Sequence, residues 1–112
     1  MSFLRGENMM LLWKIKILLG INEADKEKDD LLETLIEMCK DFAAQYCGVE
    51  YNRRMDNTVV QMVVYRYGRL GTEGITAESY SGASFSYTDD YPAEIYKMLD
   101  NIKRSYGRAK LI

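Results

Sequence analysis

A mainly helical domain, about four helices in a small bundle with one β-hairpin between the third and fourth, is what this sequence predicts. Three observations carry that prediction. Apolar residues recur at three- and four-residue steps through most of the chain. Glycines at 20, 48, 71 and 107 punctuate those runs. One stretch, Ala83 to Thr88, instead alternates small polar with apolar side chains at a period of two.

The first helix is expected over about Asn8 to Leu19, with Leu11, Leu12, Ile15, Leu18 and Leu19 as its apolar stripe. Gly20 tolerates the left-handed conformation and stops it. Asn22 is positioned to cap the next helix, and Glu23 and Asp25 suit the positive end of that helix's dipole. The second helix, about Asp25 to Cys47, is the longest. Leu31, Leu32, Leu35, Ile36, Cys39, Phe42, Ala43 and Tyr46 form one stripe, with Glu33, Glu37, Lys40 and Asp41 outside it. Gly48 ends it. The run Asp25-Lys26-Glu27-Lys28-Asp29-Asp30 lacks the glycine turn and terminal Glu of a calcium loop, so it reads as a solvated helical start.

The third helix, about Asn57 to Leu70, turns Val59, Val60, Val63, Val64 and Tyr67 inward. So β-branched a set makes a strand a competitor on propensity. Length favours helix, as does the polar face formed by Gln61, Arg66 and Arg69. Ile75 to Tyr80, the Ser81-Gly82 turn and Ala83 to Thr88 give the hairpin signal. Asp89, Asp90 and Pro92 open a last helix with Ile95, Leu99, Ile102 and Tyr106 as its stripe, and Gly107 and a basic tail close it.

At 112 residues and a formal net charge of -2, the chain suits a single domain, taken as 1–112, that buries roughly two-thirds of its unfolded surface. Hydrophobic residues at 47% against 29% charged exclude a disordered chain, and the near-neutral balance opposes general nucleic-acid coating. There is no His, which removes the commonest general base and neutral metal ligand. Familiar nucleophilic triads therefore lack a base. The carboxylate pairs Asp29-Asp30 and Asp89-Asp90 are adjacent in sequence and cannot face each other across a cleft. No GxxxxGK[ST] occurs. The reading is non-enzymatic, with no catalytic, cofactor or metal residues.

Cys39 and Cys47 on one helix would lie about 12 Å apart along the axis, beyond the roughly 7 Å reach of a disulfide. They read as small core residues in a reducing compartment. Met9 to Leu19, the most apolar stretch, carries Lys14 and Lys16 and falls short of the about 20 residues of a membrane span. Those lysines also oppose a secretory signal, so a cytosolic origin is expected.

Two clusters remain. Arg53, Arg54, Arg66 and Arg69 form one basic set; Lys103, Arg104, Arg108 and Lys110 form a denser one with no acid among them. The second signal is aromatic. Tyr80, Phe85, Tyr87, Tyr91, Tyr96 and Tyr106 gather in the last third of a chain with nine Tyr, and Tyr is favoured where an apolar face meets water. A lone hairpin is marginal, so it must lean on its own helices or on a neighbour.

The order of these signals resembles a known family. Leu18-Leu-Gly-Ile21 ends a short helix and Tyr46-Cys-Gly48 ends a long one. Tyr65-Arg-Tyr67 lies in the Val-rich helix. Gly74-Ile-Thr-Ala-Glu-Ser79, Ser81-Gly-Ala-Ser-Phe-Ser-Tyr87 and Asp90-Tyr-Pro92 follow. Over about residues 9–105 this is similar to the phage head-tail connector (adaptor, or head-completion) proteins of long-tailed double-stranded DNA phages and prophages.

The resemblance implies a structural virion protein, one subunit of a ring, typically twelvefold, below the portal. Such a ring extends the DNA channel and offers a docking surface to the next connector or the tail. It implies a portal partner for Lys103, Arg104, Arg108 and Lys110. Tyr80, Ser81, Gly82, Phe85 and Tyr87 are the candidate subunit or tail contact. DNA would pass through without sequence-specific binding. The location implied is the virion's head-tail junction, reached from the host cytoplasm during assembly, with no membrane involved. The alternative is a small helical DNA-binding regulator using Arg53, Arg54, Arg66 and Arg69.

Overall fold

The structure, a computed structural model, describes residues 6–70 and 91–111, with side chains over 8–70 and 91–106. It contains α1 (Gly6–Leu19), α2 (Asp29–Cys47), α3 (Asp56–Leu70) and α4 (Ala93–Leu111), with a 3-10 turn at Arg53–Met55 leading into α3. The bundle is therefore mainly α, and no strand occurs among the described residues. The hairpin expected over Ile75 to Thr88 lies outside them.

The helix α2 is central because its stripe is the most complete. Leu31, Leu32, Leu35, Ile36, Cys39, Ala43 and Cys47 are all buried. Its most extensive contact is with α3, and both α1 and α4 pack on that pair. Val59, Val60, Met62 and Val63 of α3 close on α2, so tertiary burial outweighs the weak helix propensity of valine. From α4, Tyr91, Ile95 and Leu99 complete the core, and Leu11, Leu12 and Ile15 enter it from α1.

Two helices stop as glycine allows. Gly20 has φ 74, with Gly20 N–H bonded to Ile17 O at 3.2 Å and Ile21 N–H to Lys16 O at 2.9 Å. Gly48 has φ 72, and Val49 N–H reaches Ala44 O at 3.2 Å. Ile21 and Val49, just past each stop, pack on the core, the apolar contact that accompanies this cap.

Four expectations shift. The second helix begins at Asp29 rather than Asp25. Between α1 and α2 the Asn22 side chain accepts from Ala24 N–H at 2.8 Å and Asp25 from Glu27 N–H at 3.0 Å, so each closes a local turn instead of a helix cap. The carbonyls of Glu23 and Asp25 are taken by the Lys16 ammonium, at 3.2 and 2.7 Å, so neither continues a helical ladder. Leu18, expected on the buried stripe of α1, is 56% exposed, while Lys16 is 3% exposed. Gly107 does not close the last helix, which runs on to Leu111.

Candidate functional site

Of the nine residues expected to make contacts, four fall on α4. Lys103 and Arg104 are exposed there, and Arg108 and Lys110 lie further along the same helix. The Lys103 ammonium sits 5.5 Å from the ring centre of Tyr46 on α2. Tyr46 in turn donates to Asp100 Oδ1 at 2.7 Å, a hydrogen bond that pushes its phenol above the usual value. Through Asp100 and Lys103, α4 is thus cross-tied to α2. Tyr80, Ser81, Gly82, Phe85 and Tyr87 lie outside the described residues.

The other basic set does not form one outward patch. Arg54 donates to Ser105 Oγ at 2.5 Å and lies 5.2 Å from the Tyr106 ring, clamping the 3-10 turn onto α4. Arg66 is half-buried. Its Nε donates to Tyr91 OH at 2.5 Å and its guanidinium lies over that ring at 4.7 Å. Arg69 donates to Tyr65 OH at 3.1 Å. Three of the four arginines a DNA-binding regulator would use therefore make contacts within the fold. Each tie takes one of a guanidinium's five N–H donors and fixes its orientation toward the fold.

Around Tyr91 the chemistry is structural. Its ring meets Phe42 at 5.3 Å and Tyr65 at 6.0 Å, and its hydroxyl is 3.8 Å from Cys39 Sγ. Burial pushes the Cys39 thiol from its ordinary 9.0 up to about 11, and the contact with the Tyr91 hydroxyl and the Arg66 charge offset only part of this. Burial likewise raises Cys47, whose Sγ points at Leu99 O at 3.6 Å, and raises the Tyr91 phenol. Both thiols are free and buried, which makes them inert packing groups at neutral pH.

The pH dependence follows from those directions. Below about pH 9 the Cys39 thiol is protonated in folded and unfolded chains alike. Above it the unfolded chain releases the proton and the folded chain keeps it, so stability falls as pH rises. The slope from this thiol is about 1.4 kcal/mol per pH unit until the folded thiol also ionises. Urea titrations at pH 8, 9 and 10 are expected to show this loss, and Cys39→Ala is expected to make it shallower. An equal slope in both proteins would contradict the assignment.

Sequence reading missed two features of α1. Asn8 is buried and bridges to α2: its amide donates to Glu37 Oε2 at 2.7 Å and its oxygen accepts from Lys40 Nζ at 2.8 Å. On the opposite side, Met9, Met10, Trp13, Ile17 and Leu18 are 48 to 56% exposed. The signal was present in the sequence, since over 9–19 only Lys14 and Lys16 interrupt the apolar residues of α1. No group of His, Cys, Asp or Glu suited to a metal occurs among the described residues, and no described helix is long and apolar enough to cross a membrane.

What remains is a tied helical scaffold with exposed side chains on α1 and α4. The model of the family described as phage gp6-like head-tail connector protein matches residues 9–103. The chain belongs to that family. The match begins at Met9 in α1 and ends at Lys103 in α4, so it takes in the core-forming length of all four helices. It stops before Arg104, Arg108 and Lys110. Comparisons with curated proteins and with solved structures give no match. As a head-tail connector the chain is a structural phage protein that joins head and tail.

Proposed function

We propose that this connector, as one domain over 1–112, assembles with copies of itself into a ring below the portal. The ring extends the DNA channel and receives the next connector or the tail. The family match across 9–103 is the observation that supports this reading. A ring needs a heterologous contact, one face of each subunit meeting a different face of the next, and twelve copies would match a twelvefold portal. The work is non-enzymatic and structural, at the head-tail junction of the virion after assembly in the host cytoplasm. With a net charge of -2 the chain has no cationic excess with which to hold the phosphate backbone, so DNA slides past.

In this reading Lys103, Arg104, Arg108 and Lys110 meet the portal, and Tyr80, Ser81, Gly82, Phe85 and Tyr87 meet a neighbouring subunit or the tail. The test is reconstitution. DNA-filled heads lacking the chain, mixed with tails, are expected to stay unjoined under the electron microscope until the purified protein is added. The Lys103→Glu/Arg104→Glu protein, folded by circular dichroism because both residues are exposed, is expected to join several-fold fewer heads. Heads and tails that join equally well without the chain would overturn the proposal.

A further inference from the structure

We propose that the exposed face of α1 is where two free copies of this chain pair about a two-fold axis, α1 against α1, before either joins a larger assembly. Met9, Trp13 and Ile17 make one row at four-residue steps and Met10, Lys14 and Leu18 the next. Together they span about 13 Å of helix. Rows of this kind on two identical helices interdigitate ridge into groove.

The occupant is a second copy for three reasons. First, Met9, Met10, Trp13, Ile17 and Leu18 are the large hydrophobics left exposed among the described residues. The described surface whose chemistry matches this face is therefore the same face on another copy, which is the condition for an isologous contact.

Second, the area is of the right order. Five large side chains about half exposed present roughly 500 Å² of mostly apolar surface, toward the upper end of the about 300–600 Å² of the largest patch on a typical monomer, a patch that is often functional. That would fill the centre of a patch of about 800 Å² per partner, with a polar rim making up the rest.

Third, each rim carries charges of both signs. On one side of α1 a groove of about 350 Å³ is lined by Met9, Trp13, Glu23 and Lys26, among others. On the other side a groove of about 660 Å³ is lined by Met10, Lys14, Glu50 and Arg53, among others. A two-fold axis that reverses α1 sets each rim against its own copy. Because each rim carries both signs, cation can meet carboxylate rather than its like.

The chain supplies its own probe. Trp13 is the one tryptophan in the sequence, it is 48% exposed, and its indole N–H is fixed on Glu23 Oε2 at 2.7 Å. Light scattering from about 1 µM to about 300 µM brackets the affinity expected of a small interface. The expected mass rises from 13.0 kDa toward twice that value, with Trp13 emission moving to shorter wavelength in parallel. Ile17→Glu, at an exposed position that leaves the core intact, is expected to weaken pairing by about tenfold or more and hold the emission at its dilute value. Met10→Glu is expected to do the same.

A mass fixed at 13.0 kDa with unchanged emission overturns the proposal. So does a larger assembly whose size and Trp13 emission ignore both substitutions. Either failure leaves the connector reading standing, because that reading rests on the family match and is tested by the joining of heads to tails.

Discussion

Lys16→Met is expected to destabilise the fold by on the order of 3 kcal/mol, read as a lower urea midpoint, and to loosen the link between α1 and α2. Lys16 is the fold's one nearly buried cation among the described residues, with its side chain 4% exposed, and its ammonium lies 2.6 Å from Asp29 Oδ1. The same ammonium bonds the carbonyls of Glu23 and Asp25, so one group holds the connection and the first residue of α2 together. Methionine keeps most of the volume and leaves the carboxylate and both carbonyls without that donor.

The partner carboxylate is 18% exposed, so water relieves part of the penalty. This sets the expected loss at the low end of what breaking a buried pair costs. Asp29→Asn, which keeps the ammonium but not its counter-charge, is expected to cost less than Lys16→Met. Lys16→Met/Asp29→Leu is expected to recover part of the loss, because an apolar pair carries no uncompensated charge. Hydrogen exchange at Ala24 and Glu27 should quicken in Lys16→Met before the rest of the molecule is affected. A midpoint equal to that of the parent protein would show that the pair does not hold this connection.

Tyr91→Ala is expected to cost about 3–5 kcal/mol, in the range of a buried aromatic removed from a packed core. Tyr91 is 6% exposed and lies two residues before the start of α4 at Ala93, so it anchors the entry to that helix in the core. Its ring touches Phe42 from α2 and Tyr65 from α3, and Tyr96 of α4 meets it edge-on at 6.1 Å. Such aromatic pairs contribute beyond the area they bury.

Tyr91→Phe separates the two parts of this role. It keeps the ring and the guanidinium stacked over it, but removes the hydroxyl that Arg66 and Cys39 meet. The expected cost is about 1–2 kcal/mol, since half-buried Arg66 can recruit water in its place. Chemical denaturation of both variants checks the order. A phenylalanine variant as unstable as the alanine one would mean that the hydroxyl, not the ring, carries the stability.

What could be read in advance follows from where each interaction's partners lie. The stripe on α2 was legible because its burial depends only on local period, and every expected member is buried or packed on the core. The helix in α3 was legible against its propensity for the same reason. The start of α2 was not, because it depends on Lys16, a residue on another helix. Nor were the duties of Arg54 and Arg66, whose partners are 51 and 25 residues away. In α1 the apolar residues go all round the helix, so period alone could not tell the buried side from the exposed one. The sequence signals for the connector family were spread along the whole chain, which is why their order, rather than any one motif, pointed to it.

The central claim is that this helical bundle is a connector that docks on a portal. Light scattering on a sizing column, with the chain mixed into its cognate portal oligomer, tests that claim most directly. The account predicts one peak containing both proteins, heavier than the portal by a whole number of 13.0 kDa chains, up to one per portal subunit. Two separate peaks at every mixing ratio, with the portal's mass unchanged, would contradict it.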